Sequence, residues 1–60
     1  MEPMTNQELA NMALDADRSR RAAWARGDYQ ESCKQWEIRN DWILRMNYQI
    51  EIGKLRKVFA

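Results

Sequence analysis

Histidine is absent from the chain, and there is a single cysteine, a single proline and only two glycines. Each shortage removes a class of function. Without histidine and with the lone thiol of Cys33, a structural zinc site cannot be assembled. One cysteine also excludes an internal disulfide. With so little glycine there is no phosphate-cradling loop, and neither a nucleophile-elbow nor a paired-cysteine motif occurs. No apolar run is long enough to cross a bilayer. The first dozen residues carry no basic region followed by an apolar one, so no signal peptide is expected, and a cytoplasmic location follows by default.

What is present is a short, charged, tryptophan-rich chain. Its 60 residues are one domain at most. Hydrophobic residues make up 45% and charged residues 32%, which excludes a disordered tail as a description of the whole. Apolar burial in so small a domain yields on the order of 90 kcal/mol. Ordering the chain costs about the same. With disulfides and metals excluded, self-association or a partner is the remaining aid to stability.

Pro3 and Gly27 stand where a helix would begin and end. Thr5 and Glu8 form a capping-box pattern, with Met4 and Leu9 at the positions of a hydrophobic staple. Residues 1–5 are therefore expected as a lead and cap, and residues 6–26 as a first helix. Its apolar stripe is Leu9, Met12, Ala13, Ala16, Ala23 and Trp24, interrupted by Arg20, whose aliphatic stem can still cover the stripe. Gly27 suits the residue just past a helix end, and Asp28 with Glu31 repeats the capping pattern. The turn is thus residues 27–28, short enough for an αα-hairpin.

No proline follows, so a second helix is expected over residues 29–58, weakened at Gly53, with 59–60 as a tail. One face of it, Tyr29, Cys33, Trp36, Ile43, Met46 and Ile50, is expected to pack on the first helix. That makes Cys33 a buried structural thiol and puts Trp24 and Trp36 in the core beside the turn. A second face carries Ile38, Trp42, Tyr48, Ile52, Leu55 and Phe59. At about 1.5 Å per residue the first helix reaches roughly 30 Å and the second roughly 45 Å. About the last ten residues of the second helix then have no helix beside them. The expected architecture is an all-α antiparallel two-helix hairpin, assembled into a homo-oligomeric helical bundle. Trp42, Ile50, Ile52, Leu55, Val58 and Phe59 are the expected self-association residues.

Charge is segmented. Four acids and no base lie in positions 1–17, and four arginines and no acid in positions 18–26. Positions 28–41 are acidic again and the C-terminal stretch is basic. Arg18, Arg20, Arg21 and Arg26 are the candidate phosphate contacts, with Trp24 available to stack on a base. Paired acids nearby and a pI of about 7.9 favour a solvated helix end instead. No catalytic, cofactor-binding or metal-binding residues are expected, and no membrane partner.

The turn Ala25-Arg26-Gly27-Asp28-Tyr29-Gln30-Glu31 resembles the junction between the two helices of a tetratricopeptide repeat. The likeness covers about a dozen residues. It stops there, since Arg20 and Arg39 stand where that repeat has small residues and the second helix is too long. In size, helix content and absence of catalytic motifs the chain is similar to short accessory proteins of lambdoid-type tailed bacteriophages. The segment Arg18-Ser19-Arg20-Arg21 resembles the arginine-rich RNA-binding helices of phage antiterminators. The likeness to phage accessory proteins implies binding to a host or phage protein, and with the overhanging apolar end of the second helix the expected function is a non-enzymatic regulator or adaptor that contacts first itself. A small nucleic-acid-binding helical module is the alternative.

Overall fold

The computed structural model describes the backbone of residues 3–59 and every side chain among them except that of Phe59. Met1, Glu2 and Ala60 lie outside the described residues, and with them the outer parts of the expected lead and tail. Two helices, α1 (Asn6–Ala25) and α2 (Tyr29–Phe59), pack as one antiparallel hairpin. The molecule is a rod of 50 × 17 × 16 Å.

The expected caps form. The Glu8 amide donates to Thr5 Oγ1 at 3.1 Å, and the Thr5 amide donates back to Glu8 Oε1 at 3.3 Å. The box therefore satisfies amides on both sides of the start of α1. At the other end α1 stops one residue earlier than expected, at Ala25, with Arg26 as its C-cap. The Gly27 amide donates to the Trp24 carbonyl and the Asp28 amide to the Ala23 carbonyl, at 3.0 and 2.9 Å. This is a Schellman closure, and it needs the left-handed φ of 77° that Gly27 adopts. Asp28 also opens α2, its carboxylate accepting from the Glu31 amide at 3.2 Å. The reciprocal half of the second capping box is not made, because Glu31 Oε1 instead accepts from Gln35 Nε2 at 2.9 Å. α2 runs unbroken through Gly53 to Phe59, beyond the expected end at residue 58.

The interior is built from small residues. Among the described residues Leu9, Ala13, Ala16 and Ala23 on α1 and Ser32 on α2 are the buried ones, and no large side chain of theirs is fully enclosed. On α2 the less exposed positions include Ser32, Gln35, Arg39, Trp42, Met46, Gln49 and Gly53, a strict alternation of three- and four-residue steps. Gln49 Nε2 donates to Asn6 Oδ1 at 2.8 Å, which fixes the register. That register sets Ala23 level with Ser32, Ala16 with Arg39, Ala13 with Trp42 and Leu9 with Met46. Beside the turn small meets small, Ala23 on Ser32, and farther along Ala16 and Ala13 leave room for Arg39 and Trp42, which lets the axes approach closely after so short a turn.

This seam is not the expected packing face. Tyr29, Cys33 and Trp36 lie one helical step round from it and are exposed, while Ile43, Met46 and Ile50 are half-buried. The physical reason is room. Beside the turn the seam holds Ala23 and Ser32, and an indole does not fit between helices held that close. Trp24 (62% exposed) and Trp36 (50%) therefore stay outside the core, and Cys33 is an exposed thiol and not a buried one. Trp24 instead pairs with Tyr29 across the turn, ring centroids 4.7 Å apart at 58°. Met12, expected on the packing stripe, is also exposed.

Candidate interaction surface

The hydrogen bond from Gln49 to Asn6 places the first residue of α1 beside Gln49, so α2 continues for about ten residues past the end of its neighbour. The lead peptide accompanies part of that extension. Pro3, Met4 and Leu9 line an open groove of about 950 Å³ whose other wall includes Leu44, Tyr48, Ile52 and Arg56. The staple pair Met4 and Leu9 is what turns the lead onto this side.

Four large apolar side chains along the C-terminal half of α2 are exposed, and two of them, Leu44 and Tyr48, also edge that groove. The four are Leu44 (65% exposed), Tyr48 (70%), Leu55 (52%) and Val58 (73%). Their spacing is i, i+4, i+11 and i+14, the repeat of a coiled-coil seam, and the one missing position is Glu51. The stripe extends about 21 Å along the helix. Glu51 is itself exposed and accepts from Lys54 Nζ at 3.3 Å. The C-terminal half of α2 thus carries two apolar faces, one spent on α1 and one unspent.

Not all the expected self-association residues lie on the unspent face. Leu55 and Val58 do. Trp42 falls on the inner seam and is half-buried, with the Arg45 guanidinium 4.8 Å from its ring centroid. Ile50 and Ile52 are half-buried flanks, and the side chain of Phe59 lies outside the described residues. Leu44 belongs to neither face that apolar size suggests, although its spacing from Tyr48, Leu55 and Val58 is in the sequence.

The surface area agrees with an unspent face. Compact monomers of 7.2 kDa expose about 4,100 Å². This chain exposes 5135 Å². Its radius of gyration is 14.6 Å, against about 10.4 Å for a compact chain of this length.

The arginine cluster is differently arranged. Asp17 is its hub. Arg20 Nε and Nη2 lie 3.0 Å from Asp17 Oδ1, Arg21 Nε lies 2.9 Å from Oδ2, and Arg39 Nε reaches across from α2 to 3.8 Å of Oδ1. The hydrogen bond from Arg20 holds the Asp17 carboxyl below the ordinary carboxylate range. The charges of Arg21, Arg20 and Arg39 act the same way, against a desolvation that raises it. Arg39 Nε is itself buried with no hydrogen-bond acceptor among the described residues. Arg18 lies 3.9 Å from Asp15, and Arg26 makes no ion pair among the described residues. At 100° per residue, Arg18, Arg20, Arg21 and Arg26 are spread around α1 and share no face. Three of the four are turned toward the chain's own acids.

Among the described residues no group of three or more acidic, cysteine or histidine side chains is placed to hold a metal ion, and no helix is long and apolar enough to cross a membrane. No family model, curated protein or solved structure matches the chain.

Proposed function

We propose that this protein is a non-enzymatic helical module that works through helix-mediated protein–protein contact, first with a second copy of itself. The observation that carries the proposal is the outward stripe of Leu44, Tyr48, Leu55 and Val58 at coiled-coil spacing. Soluble monomers seldom leave so many large apolar side chains grouped on one helix in water. A surface roughly 1,000 Å² larger than a compact chain needs is of the size that a standard interface takes from each partner. In the regulatory setting that its likeness to phage accessory proteins suggests, such an assembly would present its remaining aromatic side chains, Trp24, Tyr29 and Trp36, to a host or phage protein.

The test is absolute mass by light scattering after size exclusion, over a concentration series, for the native chain and for Leu55→Asp. Leu55 is exposed, so the substitution leaves the hairpin's interior alone. The native chain is expected to rise from 7.2 kDa toward twice that mass, and Leu55→Asp to stay at the monomer mass with an unchanged helical spectrum. A native chain that stays monomeric throughout, or a variant that assembles as well as its parent, refutes the proposal.

A further inference from the structure

We infer that the second copy lies antiparallel along α2, in a register that sets Tyr48 against the partner's Glu51 and Leu44 against the partner's Leu55. The inference rests on the self-association proposed above and adds its geometry. A two-fold interface is isologous, so any stripe that builds one must complement its own reverse. The outward stripe reads Leu44, Tyr48, Glu51, Leu55, with steps of four, three and four. That spacing is palindromic. Reversing the helix brings leucine onto leucine at both ends and, in the middle, a phenol hydroxyl onto a carboxylate at both related positions.

Chemistry chooses this arrangement over its competitors. Glu51 is the only charged group between Leu44 and Leu55 on the stripe, and a carboxylate shut into an apolar seam needs a donor. Tyr48 carries the only hydroxyl on the stripe, and the antiparallel pairing supplies it to each Glu51 in turn. Lys54, already 3.3 Å from Glu51 Oε1, stands at the rim beside it. A parallel pair would instead bring the two Glu51 side chains face to face. Sliding the antiparallel pair by one layer would set Glu51 against the partner's Leu44 in one direction and against the partner's Glu51 in the other.

The flanking charge points the same way. Above Leu44 the outward row continues into Glu37 and Asp41, and near its far end lie Lys54, Arg56 and Lys57. The proposed register puts Asp41 level with the partner's Val58, at that basic end. A parallel pair would stack acid on acid and base on base.

The test is crosslinking in a Cys33→Ser background, which removes the native exposed thiol. Leu44→Cys chains and isotopically labelled Leu55→Cys chains are mixed, treated with a short bismaleimide and sorted by mass. The mixed crosslink is expected to predominate, with little of either homodimer. In addition Tyr48→Phe is expected to weaken the native dimer about tenfold, because it removes the donor that the partner brings into the seam and leaves each Glu51 only Lys54 at the rim, while leaving monomer unfolding unchanged. Predominant Leu55→Cys homodimers, or a random mixture, overturn the register while leaving self-association standing. Absence of any crosslink, together with a monomeric native chain by light scattering, overturns both.

Discussion

The two glycines separate backbone conformation from space more cleanly than any other pair of positions in the chain. A methyl group added at Gly27 meets no atom within 4 Å, and the same holds at Gly53. Packing therefore predicts that Gly→Ala is harmless at both. Conformation predicts opposite signs. Gly27 sits at φ 77°, the left-handed region, where an L side chain costs about 1–2 kcal/mol. Part of that is offset by the lower entropy of the unfolded alanine chain, leaving a net loss of about 1 kcal/mol. Gly53 lies inside α2 with helical neighbours on both sides, and alanine there is favoured by about 0.8–1 kcal/mol. In a domain this small, 1 kcal/mol moves the thermal midpoint by roughly 4–8 °C. Thermal unfolding followed by circular dichroism, at concentrations low enough to keep the chain monomeric, should show Gly27→Ala below the native midpoint and Gly53→Ala above it by a similar amount. Shifts of the same sign in both variants would refute the reasoning, since they would show that neither φ nor helix propensity governs these positions.

Two further outcomes test the seam and its ion-pair hub. Ala23 is 0% exposed at the closed end of the hairpin, so Ala23→Leu should cost about 1–3 kcal/mol by overpacking, while Ala22→Leu on the exposed face should leave the urea midpoint close to native. Asp17 has its folded-state pKa lowered by the Arg20 hydrogen bond, so its stabilisation is fully present above the unfolded value near 3.8 and is lost as pH falls through the lower folded value. Asp17→Asn should therefore melt below the native chain at neutral pH, and the gap should close as the pH is taken well below 3.8. A gap that persists at the acid end would assign the effect to packing.

Local chemistry was the most legible part of the sequence. Thr5 with Glu8, Gly27 and Asp28 each announce a helix boundary, and each boundary forms within a residue or so of the expected place. Such signals act over three or four residues, and nothing distant competes with them. The packing face of α2 was legible only in part. Following the largest apolar residues leads to Tyr29, Cys33 and Trp36, but the true seam near the turn is Ser32, Gln35 and Arg39. Bulk is a good guide to a core only where there is volume to fill. Here α1 offers Ala13, Ala16 and Ala23, and a turn of three residues, Arg26 to Asp28, holds the helices together.

The same alanines account for the outward face. A seam of small residues encloses little volume, so most of the chain's aromatic and branched side chains must lie at its edges or outside it. Near the turn the displaced groups are Trp24, Tyr29 and Trp36, of which Trp24 and Tyr29 partly cover one another in a tilted stack. Farther along, on both sides of the level where α1 begins, the displaced groups are Leu44, Tyr48, Leu55 and Val58, and with Glu51 between them these keep the three-and-four spacing of a coiled-coil seam. If that spacing were incidental to fitting α1, it would have no reason to recur on the face opposite. Under the proposed self-association, a hairpin too thin to bury its own residues, with the surplus set in a coiled-coil row, would gain its missing burial by pairing. Unfolding should therefore depend on protein concentration in the native chain and lose that dependence in Leu55→Asp, because assembly linked to folding shifts the midpoint by mass action.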